Sequence, residues 1–206
     1  MTEFVHVYED GDGPWTLLLL HGTGGDEHDL IGLGHQLAPG GNLLSPRGKV
    51  LENGTTPRFF RRLPVGELDI PDLLERTDDL ADFVTGSTER YSFDPGKVVA
   101  IGLSNGANIA VSLLFRHPGL LKGAALLRPM LPYEPEADLD LTGTSVLVAA
   151  GGQDPYVPSS ESITLGKTLE DRNATMTMQL NPEVGHGLTE GDLVETSRWL
   201  TDLVNA

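Results

Sequence analysis

Six short apolar-rich runs, at 16–20, 42–45, 98–102, 124–127, 145–150 and 176–180, constrain this chain more than any other feature of its sequence. They are largely continuous rather than alternating, which is the pattern of strands covered on both faces, as in a parallel sheet flanked by helices. Amphipathic stretches separate them. Leu30, Leu33 and Leu37 share one helical face before Pro39 and Gly40 stop it, and Leu73, Leu74, Leu80 and Val84 mark a longer helix over 72–91. Further helices are predicted over 105–117, 160–172 and 190–203, with an edge strand over 3–8. Strand and helix alternating in this way give an α/β chain, a doubly wound and mostly parallel sheet with helices on both faces. No insertion of note separates 130 from 145, so no cap domain is expected. The stretch 46–71 has no sustained periodicity, and an irregular segment of that length usually forms a pocket wall or holds short turns.

The strongest chemical signal is Gly102-Leu103-Ser104-Asn105-Gly106, a G-x-S-x-G sequence between an apolar strand and an amphipathic helix. Glycines on either side let the chain turn sharply, which exposes the serine hydroxyl at the strand end beside a helix N-terminus. Such a serine needs a base. In this arrangement the acid and the histidine follow the nucleophile in the chain, which leaves His117 and His186 among the six histidines. His117 stands at a helix end before Pro118, where a cation suits the helix dipole without catalysis. His186 lies between Gly185 and Gly187, after the last strand, and is the expected base. Asp154 follows the strand ending at Ala150 and precedes Pro155, so it is the expected acid, with Asp138, Asp140, Asp171 and Glu183 as competitors.

His21-Gly22-Thr23-Gly24-Gly25 follows the most apolar strand. It lacks the spacing and the lysine of a phosphate-binding loop. The backbone N–H groups of Thr23 and Asn105 are the expected oxyanion donors, and His21 reads as a structural hydrogen-bonding residue. Apolar pocket walls are expected from Phe59, Phe60, Met130 and Leu188, with Arg47, Arg58 or Arg128 recognising a polar group.

Leu20-His21-Gly22-Thr23-Gly24-Gly25, Ser45-Pro46-Arg47-Gly48, Pro57-Arg58-Phe59-Phe60-Arg61-Arg62, the serine turn and Leu127-Arg128-Pro129-Met130 together make the chain resemble the phospholipase/carboxylesterase family of α/β-hydrolases. Its look is nearest to small bacterial carboxylesterases and hydroquinone-responsive hydrolases. The resemblance extends over nearly the whole chain and implies cofactor-free, metal-independent hydrolysis of short acyl or aromatic esters, with Ser104, Asp154 and His186 matching the family triad. Many members carry Phe or Tyr before the serine and Gln after it, where this chain has Leu103 and Asn105. That departure leaves the triad intact and makes lipid-sized substrates less secure. The alternatives are an acyl thioesterase or lysophospholipase using the same residues, or a silent binding protein on the same fold.

Composition narrows the field further. The 206 residues suit one domain over 1–206, and there is no cysteine for a disulfide, a thiolate metal site or a thiol nucleophile. A formal charge of −16, from 30 acidic and 14 basic side chains, repels phosphate backbones and anionic lipid, so nucleic acid is excluded as a partner. The acidity fits an ordinary soluble protein better than a saline adaptation. No apolar run is long enough to enter a membrane and the N-terminus has no basic-then-apolar leader, so the expected setting is cytoplasmic. The expected partner is a small-molecule ester, with room left for a homodimer.

Overall fold

The computed structural model describes residues 3–63 and 67–205. A seven-stranded sheet runs in the order β1-β3-β2-β6-β7-β8-β9. Its strands are β1 (His6–Glu9), β2 (Thr16–Leu20), β3 (Asn42–Pro46), β6 (Val98–Leu103), β7 (Gly123–Leu127), β8 (Ser145–Gly151) and β9 (Thr175–Asn181). All neighbours are parallel except β1, which pairs antiparallel with β3. The expected doubly wound α/β sheet is the observed one. Its edge strand β1 begins at His6, three residues later than the periodicity implies.

Each central strand divides its side chains between two layers. Leu18, Leu20, Ala100, Leu126 and Val148 join the core beneath α2 (Ile70–Tyr91), α3 (Asn105–Arg116) and α4 (Ser159–Glu170). Leu17, Leu19, Val99, Ile101, Ala125, Leu127, Leu147 and Ala149 join the core beneath α1 (Ile31–Leu37) and α5 (Glu190–Asn205). The central strands are therefore apolar almost throughout, Thr16 and Ser145 at their starts excepted, because both faces are dry, and each fully buried leucine contributes about 1.5–3 kcal/mol of transfer free energy. Helix α2 starts where Asp69 accepts the N–H of Asp72 at 3.2 Å and Pro71 occupies the first turn. It ends at Ser92, whose φ of 59° is left-handed.

The aperiodic stretch 46–71 contains a hairpin, β4 (Val50–Glu52) and β5 (Thr56–Arg58), paired antiparallel. Beyond it Phe59 and Phe60 enter the core, and a single bridge joins Arg62 to Leu68. Residues 128–144, between β7 and β8, form no helix or strand, so no cap covers the C-terminal edge of the sheet there.

Because the central strands are parallel, the loops after β2, β6, β7, β8 and β9 all emerge on one edge. Register brings them close: Leu20 pairs with Gly102, and Gly151 with Asn181. The residues singled out in the sequence after those strands are thus gathered into one place by topology alone.

Candidate active site

Ser104 is the residue between β6 and α3, with φ 52° and ψ −110°, a backbone state that a serine rarely adopts. The sharp turn depends on its flanking glycines. A Cβ on Gly102 would sit 2.6 Å from the Gly106 carbonyl oxygen, and one on Gly106 would sit 2.0 Å from the Leu20 oxygen. Strand and helix can pack this closely only without side chains there. The turn is also tied to the sheet through the Ser104 N–H, which donates to the Leu127 oxygen at 2.8 Å.

His186 Nε2 lies 2.9 Å from Ser104 Oγ, and its Nδ1 lies 2.7 Å from Asp154 Oδ2. One imidazole thus bridges a hydroxyl and a carboxylate. The other oxygen of Asp154 accepts the N–H groups of Tyr156, at 2.8 Å, and Val157, at 3.0 Å. Its side chain is only 1% exposed. Burial pushes the Asp154 carboxyl upward, but the Tyr156 amide, the His186 ring and the Val157 amide together outweigh it and hold the group below its ordinary range. Asp154 therefore stays ionised at neutral pH with fixed hydrogen-bond partners. The exposed ring of Tyr156 meets His186 edge-on, with centroids 5.1 Å apart. Sequence reasoning missed this tyrosine, whose only signal is its place two residues beyond the acid.

Thr23 lies in the loop after β2, and Asn105 directly follows Ser104 as the first residue of α3. Among the described residues, neither backbone N–H donates to a protein acceptor. The hairpin holds both segments: the Gly24 N–H donates to the Pro57 oxygen at 2.9 Å, Arg58 Nη1 to Thr23 Oγ1 at 2.6 Å, and the Phe59 N–H to Asn105 Oδ1 at 2.7 Å. The Asn105 side chain is buried and anchors the hairpin. His21 is structural, as read from the sequence. Its Nδ1 donates to the Gly22 oxygen at 2.6 Å while Nε2 accepts the Gly48 N–H at 3.0 Å, and burial pushes its pKa down. The neutral ring with the proton on Nδ1 is the form that satisfies both contacts.

Several expected pocket residues stand elsewhere. Phe59 and Phe60 are 1% and 0% exposed, packed into the core, so they present no wall to a ligand. Arg128 is wholly buried, with its guanidinium on Asp192 and backbone carbonyls, so it recognises no substrate group. Arg58 is nearly as buried and is engaged by Thr23 Oγ1 and the Phe60 oxygen. Arg47 remains partly exposed, with Nε and Nη2 bound to Glu27. Met130 and Leu188 are half-buried; the Met130 N–H donates to Asn108 Oδ1, and Leu188 packs against the core beneath α5. The described residues contain no group of three or more His, Cys, Asp or Glu arranged to hold a metal. Among the described residues, no helix is long and apolar enough to cross a membrane.

Comparison with known proteins identifies the family. The family model "Dienelactone hydrolase family" matches residues 66–194. The chain is 44% identical over 199 residues to "Putative hydrolase MhqD" of Bacillus subtilis (strain 168), covering 97% of this chain and 98% of that one. A carboxylesterase of Bacillus cereus superposes with a TM-score of 0.93 at 45% identity, covering 97% of this chain and 94% of the other. YahD, solved with malic acid, superposes with a TM-score of 0.89 at 31% identity, covering 98% and 100%. With its fold, its strand-edge serine and these relatives taken together, the chain belongs to the dienelactone hydrolase family of α/β-hydrolases and is an ester-hydrolysing enzyme.

Proposed function

We propose that the chain is a serine carboxylesterase for small esters, with Ser104 as nucleophile, His186 as general base and acid, and Asp154 as the group that orients the imidazole. The observation that carries this reading is the unbroken chain of contacts from Asp154 Oδ2 through His186 to Ser104 Oγ, at 2.7 and 2.9 Å. Nε2 takes the hydroxyl proton as Oγ attacks the ester carbonyl carbon. The carbonyl oxygen becomes negative and receives the N–H groups of Thr23 and Asn105. Collapse expels the alcohol, which takes the proton from Nε2 and leaves an acyl-serine. Water then attacks, gives its proton to the same nitrogen, and the acid departs as Oγ is reprotonated.

Substrate size follows from what surrounds the serine. The connection at 128–144 forms no helix or strand, and we read the site as open, so that a long acyl chain would lie largely in water and gain little from binding. Tyr156 presents an aromatic surface beside His186, which suits a short acyl or aryl ester. Relatives named as carboxylesterases support the same class.

The test is hydrolysis of p-nitrophenyl esters from acetate to dodecanoate, with acyl thioesters and a lysophospholipid alongside. Rates should peak at short chains, and Ser104→Ala should lower kcat by at least about three orders of magnitude. A preference for thioesters or long chains would replace the substrate class. Most of the rate surviving in Ser104→Ala would overturn the mechanism.

A further inference from the structure

We propose that Arg128 is a positioning residue for His186, acting through a buried ion pair with Asp192 that fixes the loop on both sides of the histidine. The inference rests on the catalytic role assigned to His186 above. Arg128 directly follows β7, with a left-handed φ of 58° and its N–H donating to the Ala149 oxygen at 2.8 Å. From there its side chain runs beneath the loop after β9. Nε donates to the Gly185 oxygen at 3.0 Å, and Nη2 to the Gly187 oxygen at 2.8 Å. Nη1 reaches the Ala149 oxygen at 3.2 Å and Asp192 Oδ1 at 3.1 Å, while Nη2 also reaches Asp192 Oδ2 at 2.6 Å. A guanidinium has five N–H groups, and these contacts occupy them all.

Gly185 and Gly187 are the two neighbours of His186, and glycine leaves a backbone freer than any other residue. Without tethers a histidine between them would wander. The tethers continue past it, because Asp192 Oδ2 also accepts the N–H and Oγ1 of Thr189, both at 2.8 Å, and the Asp192 N–H reaches Thr189 Oγ1 at 3.3 Å. This reciprocal cap starts α5 and ends the loop. A single buried pair therefore sets the chain from 185 to 189.

Stability alone does not require an ion pair here, since a hydrophobic pair of similar volume commonly holds a fold as well or better. What only the arginine supplies is direction, two donors in a rigid fork aimed at two carbonyls. Lysine would keep the charge opposite Asp192 but offers a single nitrogen, which cannot span both carbonyls.

The experiment compares the parent, Arg128→Met with Asp192→Leu, and Arg128→Lys. Each is followed by thermal melting, steady-state kinetics on p-nitrophenyl acetate, and the downfield proton resonance of the His186 Nδ1–H bond to Asp154. The double variant should fold, with KM within about twofold, kcat reduced about tenfold or more, and that resonance broadened or lost. Arg128→Lys should also lower kcat at unchanged KM. A folded double variant with kcat within about twofold of the parent overturns the proposal. So does failure of both variants to fold, because the arginine is then needed for stability. Ser104→Ala in the same assay separates the two readings. If it stays active the catalytic assignment fails; if it is inactive while the Arg128 variants are unimpaired, only the positioning role fails.

Discussion

A serine hydroxyl is a weak nucleophile at neutral pH, and in the proposed mechanism what alters it at Ser104 is the company of His186. Asp154 decides which nitrogen of that ring carries the proton. With its carboxyl held below the ordinary range, it is ionised throughout the neutral region, so Nδ1 must be the protonated nitrogen and Nε2 the acceptor. Because the folded value is lowered, the stabilisation is complete above the usual carboxylate range and disappears as pH falls through the lowered value. Asp154→Asn keeps an oxygen for the Tyr156 and Val157 amides but can turn an N–H toward the histidine, which favours the wrong tautomer. We expect the fold to survive and kcat to fall by about 10³ to 10⁴, measured by steady-state kinetics on protein with a parent-like melt. A loss under about tenfold would remove Asp154 from the mechanism. The positions of these residues were legible because strand, turn and helix leave a local imprint around Ser104, and chain order then restricts the histidine. Arg128 was misread for a physical reason: sequence displays its charge but not the carboxylate and carbonyls that absorb it.

At the scale of elements, the informative one is the hairpin β4–β5. Its strands are three residues each, one containing Pro57, too short for an alternation to emerge, so the sequence shows only an aperiodic stretch. The central strands were readable because both their faces are buried, and α2 because its apolar face repeats over several turns; the run at 176–180, expected to be covered on both faces, is instead the partly exposed edge strand β9, with Met178 and Leu180 open to solvent. The hairpin matters because it links the two proposed oxyanion segments, through Arg58 to Thr23 and through the Phe59 N–H to Asn105. Asn105→Ala would leave that buried N–H without an acceptor, at a cost of about 1–3 kcal/mol. We expect a lower urea midpoint with an unchanged denaturant slope. Catalysis should fall far less than in Ser104→Ala, since the backbone N–H of residue 105 remains. An unchanged midpoint would mean the hairpin is not anchored there.

Over the whole molecule, the amount of charge is legible in the sequence but its direction is not. Among the described residues, every arginine except Arg172 stands beside a carboxylate, and Lys49 beside Asp79. The cations without such a partner are Lys97 and Lys122, just before β6 and β7, Lys167 in the last turn of α4, and Arg172 just after it. All of these lie toward the edge where the parallel strands begin, opposite the edge that carries Ser104. With a net charge of −16 and its free cations on the far side, the edge that carries Ser104 is expected to lie in a negative field. A neutral ester should approach unaffected, whereas one bearing a carboxylate should be repelled. We therefore expect kcat/KM for a p-nitrophenyl succinate monoester to rise about tenfold between roughly 0.01 M and 1 M NaCl, as the Debye length shrinks from about 30 Å to about 3 Å. The neutral butyrate ester should change by less than about twofold over the same range. Equal responses of the two esters would mean that salt acts on the fold rather than on the approach of substrate. A preference for the succinate at low salt would mean that a cation does face the serine, and the arginine to test first would be Arg47, which directly follows β3 and keeps 38% of its side chain exposed.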